Sequence, residues 1–273
     1  MIGTTAGLAF SALLRNKLRS MLTMLGIVIG VAAVVMMQSV GRGATAYVGE
    51  AISGLGSNML IVMPGQAKGI QQNTLGAPLF TAGDLDAVRH QARDVGLVTA
   101  AGSRVLRVVF GSNNRSVNSG GVMPEYFEIR GWGVSSGRLP TQEDERGGAA
   151  VCVVGQTVSD ALFERRDPVG KDLRVRDMTC RVIGVLESKG ASAFGIDQDD
   201  VVFLPYTTFA RRILGNDRIG ILMATAVSKD RIDEAKEEIS VILRKRRHSL
   251  PGDEDNFAVR DPRELQSLLE SVT

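Results

Sequence analysis

From Met21 to Met37 the chain reads MLTMLGIVIGVAAVVMM, with Thr23 as the only polar side chain and no charge. Taken as a helix, Leu22 to Val40 spans roughly 28 Å at about 1.5 Å per residue, close to the roughly 30 Å hydrocarbon core of a bilayer. A soluble helix of this length without a polar face is uncommon. Ser39-Val40-Gly41 loosely fits a cleavage site. The apolar run, however, exceeds the roughly 7–15 residues of a signal-peptide core, and about twenty residues precede it. The stretch 21–41 therefore reads as a membrane anchor. Before it, Ala6, Ala9, Phe10, Leu13, Leu14 and Leu18 recur at helical spacing, with Arg15, Asn16 and Arg19 mainly on the other side. Residues 1–20 thus form a cationic amphipathic elbow suited to the lipid headgroup layer.

Beyond the anchor the period changes. Asn58 to Met63 is a short apolar strand closed by Pro64-Gly65, and the polar stretch from Gln66 to Ala77 reads as an exposed loop. Thr81-Ala82-Gly83-Asp84 fits a capping box and opens a helix with Leu85, Val88 and Ala92 on one face. Strands follow at 95–100 and 105–110. A similar unit closes the chain: a strand at 220–227, a helix from near Ser228 carrying Ile232, Ala235, Ile239, Ile242 and Leu243, and a strand at 257–259. Two β-α-β units of this kind predict a split, ferredoxin-like arrangement. Between them, 111–204 offers short strands at 149–154, 173–175, 180–186 and 201–204 and one helix near 158–163. Gly131-Trp132-Gly133 and Gly147-Gly148 lie among its turns. This part reads as an inserted, strand-rich subdomain.

Asp261-Pro262-Arg263-Glu264 is a strong helix start, and Leu265, Leu268, Leu269 and Val272 keep the period to Thr273. A helix begun so firmly, with no closing glycine, predicts that 261–273 leads into a further segment of a longer chain.

Charge sets the orientation. Arg15, Lys17 and Arg19 stand immediately before the apolar run, only Arg42 stands just after it, and the first acidic residue is Glu50. By the positive-inside rule the N-terminus is cytoplasmic and the remainder exported. Over the whole 273 residues, 32 Lys+Arg nearly balance 30 Asp+Glu, so no basic excess points to nucleic acid. With two cysteines and two histidines the chain is too poor in N/S ligands for most zinc modules.

Catalytic patterns are not completed. Gly170-Lys171 is followed by Asp172, and Arg165 occupies the place of a phosphate loop's first glycine, so the chain carries no ATP motif. Asp197, Asp199 and Asp200 resemble the start of a calcium loop, but Val201 and Val202 break it; a solvated turn is the simpler reading. His90 and His248 lack metal-ligating neighbours at helical spacing, and no nucleophile elbow accompanies them. The basic run Arg244 to Arg247 suits a helix C-terminus, where cations complement the dipole. The chain is read as non-enzymatic, with no metal or cofactor of its own.

Cys152 and Cys180 each sit in an apolar strand pattern. They read either as two buried thiols or as a disulfide. The exported compartment favours the disulfide, which would add roughly 3 kcal/mol in the chain-entropy treatment.

The run Leu13-Leu14-Arg15-Asn16-Lys17-Leu18-Arg19-Ser20, continued by Leu22 to Gly30, resembles the elbow and first membrane helix of MacB-type ABC transporter permeases. Further matches follow in order. They are Leu55-Gly56-Ser57-Asn58, Val151 to Gly155, Asp167-Pro168-Val169-Gly170-Lys171, Val182 to Leu186, Asp197-Gln198-Asp199-Asp200 and Leu204-Pro205. The resemblance implies an α+β architecture: one N-terminal transmembrane helix, then a periplasmic domain. That domain would have a porter-like split β-α-β part at 42–110 and 205–260 and an inserted strand-rich subdomain at 111–204.

It also implies a bacterial inner-membrane permease that dimerises with a second copy. A cytoplasmic ABC ATPase subunit, holding the ATP and Mg, would drive it. A periplasmic adaptor and an outer-membrane channel would be further partners, and export would be coupled mechanically. Family members that release lipoproteins or regulate cell-wall hydrolases share the plan, and a single-span periplasmic sensor or binding module is the alternative outside it. The matched motifs look like folding motifs, so the resemblance carries over no catalytic residue.

Overall fold

The computed structural model describes residues 17–53, 58–68, 71–73, 77–164, 166–192, 195–250, 254–261 and 264. It divides into two compact units, Met1–Glu50 and Ala51–Thr273. The first contains most of helix α1 (Lys17–Ser53), whose segment Met21–Ser39 has a mean hydropathy of 2.2 and is exposed throughout. Lys17 and Arg19 lie in its first turn. The helix runs on past Gly41 and Gly43 to Ser53, further than the apolar pattern alone predicts. Arg15 and the elbow up to residue 16 lie outside the described residues, as does Leu55-Gly56-Ser57.

The second unit is built on two arrangements of strands that share one member. The first is a four-stranded sheet in the order β12 (Phe257–Arg260), β1 (Met59–Pro64), β11 (Ile221–Ala226), β4 (Val95–Phe110), each neighbour antiparallel. Helix α2 (Ala82–Gln91) follows β1, and helix α7 (Ile232–Arg246), entered through the 3-10 turn Lys229–Arg231, follows β11. Leu85 and Val88 of α2 and Ile239 and Leu243 of α7 pack on Leu60, Val62, Val98 and Leu222 of the sheet. This is the split β-α-β arrangement expected from the hydrophobic period.

The second arrangement is a ring. Strand β4 pairs with β5 (Asn113–Val122), β5 with β10 (Val201–Pro205), and β10 with β7 (Val151–Val154). Next, β7 pairs with β9 (Met178–Leu186), β9 with β8 (Asp172–Val175), and β8 with β4 again. The strands close on themselves as a small barrel, which removes most of their free edges. Its interior is apolar: Leu106, Val108, Val117, Val154, Leu173, Val182 and Leu204 are buried there. Helix α5 (Gln156–Phe163) adds Val158, Leu162 and Phe163. A short strand β6 (Val134–Gly137) extends from β9.

Three local differences from the sequence pattern have physical causes. Residues 95–110 form one strand of 16 residues, not two, because pairing with β11 up to Ala101 passes directly into pairing with β5 from Ala101 to Phe110, across the exposed stretch 103–105. Strand β5 reads NNRSVNSGGV and carries little apolar signal; its ladder to β4 runs unbroken from Ala101↔Val122 to Phe110↔Asn113 and holds it. The polar stretch after Gly65 contains a two-stranded hairpin, β2 (Gln66–Lys68) with β3 (Gln71–Asn73), not only loop. The ring also means that residues 110 and 204 fall inside paired strands of a continuous sheet.

Helix α6 (Tyr206–Phe209), continued by a π turn at Ala210–Leu214, sits where sheet and barrel meet. Tyr206 and Ala210 enter the sheet's core while Phe209 and Ile213 enter the barrel's. The close approach needs Gly121: a Cβ there would stand 2.4 Å from Phe209 Cβ. Of the C-terminal segment, Asp261 and Glu264 are described. The Glu264 N–H donates to the Asp261 carboxylate at 3.1 Å, as a helix N-cap would arrange; residues 265–273 lie outside the described residues.

Candidate functional site

On the face of the sheet away from α2 and α7, a third set of side chains gathers at the seam between sheet and barrel. Ile61, Ile221 and Met223 come from the sheet, Ala101 from the shared strand β4, Val122 from β5, and Val201 and Phe203 from β10. Helix α3 (Glu125–Ile129) and the turn after it close one side with Tyr126, Phe127 and Trp132. Phe203 is the hub. Its ring centroid lies 5.2 Å from that of Tyr126, 5.9 Å from Phe127 and 5.8 Å from Trp132, the last two edge-on. Edge-on aromatic pairs add about 0.5–1.5 kcal/mol each beyond their burial. The ring can lie flat against β5 because position 120 is Gly; a Cβ there would come within 2.8 Å of it.

Beside this cluster is a pocket of about 310 Å³, within the size range of small-molecule sites. Trp132 is fixed by a 2.7 Å hydrogen bond from Nε1 to the carbonyl of Glu187. Arg130, on the pocket wall, donates to Gln198 Oε1 at 3.2 Å, while its Nε is buried without a hydrogen-bond partner. Lys189 Nζ donates to the Arg130 carbonyl at 2.6 Å and stands 5.1 Å above the Trp132 ring. Burial, and then the charge of Arg130, holds the Lys189 ammonium below its usual pKa. Burial pushes the Tyr126 phenol up against a smaller opposing effect of Arg130.

The residues singled out from sequence lie elsewhere. Cys152 on β7 and Cys180 on β9 stand side by side in the barrel interior, both buried, with Cα atoms 5.9 Å apart and their sulfurs placed for a disulfide. The acidic cluster forms a turn in which Asp197 is exposed and Asp200 half-buried, as a solvated turn would have them, while Asp199 is buried. Asp199 is 4% exposed and accepts from the Lys189 and Gly190 N–H groups at 2.8 and 3.0 Å and from the Ser188 hydroxyl. Asp197 accepts from Thr157 at 2.8 Å, and Asp200 pairs with Arg115 at 2.9 Å. All three carboxylates therefore shape the loop that borders the pocket.

The basic run at the end of α7 acts through partners rather than through the helix dipole alone. Arg244 clasps Asp255 at 2.8 Å and Arg246 clasps Asp84 at 2.6 Å. Arg247 stacks 4.5 Å over Phe80 and donates to the Pro78 carbonyl. His90 is exposed, with Nδ1 2.8 Å from the Asp86 carbonyl. Sequence reasoning passed over Arg130, Phe203 and Tyr126. The available signal was the chain's single Trp, flanked by two glycines in a sequence with only 5% aromatics.

Residues 20–242 match the family model of the MacB-like periplasmic core domain. The chain is 36% identical over 270 residues to a macrolide export ATP-binding/permease protein MacB from Chlorobium luteolum. It is 37% identical over 275 residues to its counterpart from Rhodospirillum rubrum. These alignments cover 97% and 99% of this chain and 40% of each relative, so the chain spans about two fifths of the proteins it matches. The fold superposes on the periplasmic region of MacB from Actinobacillus actinomycetemcomitans with a TM-score of 0.69 at 23% identity. That alignment covers 81% of this chain and 97% of that one. The extracellular domain of the noncanonic ABC-type transporter YknZ from Gram-positive bacteria gives 0.62 at 17% identity, covering 75% and 100%. The shared architecture, the matched span and the sequence identity together establish that this chain belongs to the MacB-like periplasmic core domain family.

Proposed function

We propose that the chain is the first membrane span and periplasmic domain of an export permease in the bacterial inner membrane. In this reading its N-terminus is cytoplasmic. A separate ABC ATPase subunit, holding ATP and Mg, drives a dimer of permease copies. Closure of the ATPases is transmitted through the membrane helices to the periplasmic domains, which move substrate from the periplasm toward an adaptor and an outer-membrane channel. The observation that carries the reading is the covalent order. An uncharged 19-residue helical stretch, Met21–Ser39, preceded by Arg15, Lys17 and Arg19, leads into a domain of the MacB-like fold. The relatives named above are macrolide export proteins, which supports export rather than lipoprotein release as the activity.

Two arms test it. Alkaline phosphatase fused after Thr273 is expected to be active, and the same enzyme fused after Arg15 inactive; the opposite pattern overturns the topology. Deleting the gene in its native host is expected to raise susceptibility to exported compounds. Restoration should need both the plasmid copy and an intact ATPase. Unchanged susceptibility together with retention of lipoproteins in the inner membrane would replace export with lipoprotein release.

A further inference from the structure

We infer that the seam pocket binds a small amphiphilic anion, its apolar body on the sheet face and its single negative head on Arg130. This concerns binding by the domain itself and holds or fails independently of the transport reading.

The pocket supplies the two halves of such a ligand's environment separately. Its floor is apolar: Ile61 and Ile221, half-buried, and Met223, buried, lie on the face of the sheet away from α2 and α7. Its wall is aromatic, with Tyr126, Trp132 and Phe203 held in one interlocked cluster. Flat, rigid rings offer large apolar contact at little conformational cost. At the mouth, Ile196 is 67% exposed, an apolar side chain left in water beside the cavity.

The two charges at the site are engaged differently. Among the described residues two charged side chains line the pocket, Arg130 and Asp197. Asp197 is already used: it accepts from Thr157 and from the Asp199 N–H, and it lies within the field of Arg115. Arg130 has no carboxylate within 4.0 Å among the described residues; its one hydrogen bond goes to the neutral amide of Gln198. Lys189, held against the Arg130 carbonyl, adds a second positive charge outside the pocket lining, with Asp199 and Glu187 in its field. A partly desolvated guanidinium without a counter-ion is costly, and its planar fork matches a carboxylate or a phosphate in two parallel hydrogen bonds. A cationic ligand would meet repulsion from both residues, and a neutral one would leave the guanidinium unmatched.

Trp132 is the chain's only tryptophan and lines the pocket, so its fluorescence reports occupancy directly. The test uses the full chain in lipid nanodiscs, titrated with 5-phenylpentanoate, 5-phenylpentanamide and 5-phenylpentylamine, which share a skeleton and differ in head charge. The carboxylate is expected to give a saturable change in Trp132 emission with an affinity at least tenfold above that of the amide and the amine. Arg130→Gln is expected to abolish that preference while leaving the amide titration unchanged. Should that variant fold poorly, Ile196→Glu, at an exposed position, is expected to weaken the carboxylate several-fold and not the amide. Equal, non-saturating responses to all three compounds would reduce the effect to partitioning into the lipid. A preference for the amine would overturn the assignment, as would a carboxylate preference that survives Arg130→Gln.

Discussion

Arg246, in the last turn of α7, places its Nε 2.6 Å from Oδ1 of Asp84, the residue whose other oxygen closes the capping box of α2 by accepting from the Thr81 N–H and hydroxyl. One carboxylate thus starts one helix and ties down the end of another. Asp84→Ala is expected to cost about 2 kcal/mol, of which the lost cap accounts for about 1. Arg246→Met, which keeps the cap, should cost about half of that. Thermal unfolding followed by Trp132 fluorescence checks the order: a larger loss from the arginine variant contradicts it.

A second capping box, Thr141 with Asp144 at the start of α4 (Gln142–Gly147), is clasped by Arg138 at 2.6 Å. Arg138, opposed by partial burial and helped by Thr141, holds the Asp144 carboxyl at about 2. A carboxyl depressed on folding stabilises above its unfolded pKa, near 3.9, and loses that contribution as pH falls toward the folded value. Because Arg138 is half exposed, screening limits the effect to about 1 kcal/mol. The difference in Tm between the wild type and Arg138→Met should hold from pH 7 to 5 and shrink as pH drops from about 4 to about 2. A gap that grows in acid would refute the assignment.

Cys152 and Cys180 are expected to be bonded in protein taken from the exporting cell. Thiol titration of the unfolded chain should find no free thiol without reductant and two after reduction. Cys152→Ala with Cys180→Ala is expected to lose about 3 kcal/mol, since the bridge closes a 28-residue separation. Two thiols in the unreduced sample would mean that the barrel holds them as an apolar pair.

Gly121→Ala puts a methyl against Phe209 Cβ, which is main-chain-proximal and fully buried and so has little room to yield. Overpacking of this kind costs about 1–3 kcal/mol. Gly220→Ala, with nothing within 4 Å of the added atom, is expected to stay within about 0.5 kcal/mol of the wild type. Equal Tm values for the two variants would show that α6 can shift.

The split β-α-β sheet was legible because its helices and strands carry complete periods: Leu85 and Val88 on α2, Ile239 and Leu243 on α7. Thr81-Ala82-Gly83-Asp84 announced its own helix. The box at Thr141 has the same signature and could have been read. The closed barrel could not, because β5 is polar along most of its length and is a strand only by pairing. The seam pocket was hidden for a related reason. Phe203, Trp132 and Arg130 are separated by up to 73 positions and meet only once β10 has been laid beside β5. The roles of Arg246 and Arg247 rest on contacts to Asp84 and Pro78 across more than 160 residues, which no local pattern encodes.

Strand β4 belongs to both the sheet and the barrel, and its 16 residues extend about 50 Å at roughly 3.3 Å each. Pulled along its axis, such a strand loads its lateral hydrogen bonds together in shear instead of opening them one after another. The sheet with its helices and the ring are therefore joined by one continuous paired strand and not by a loop.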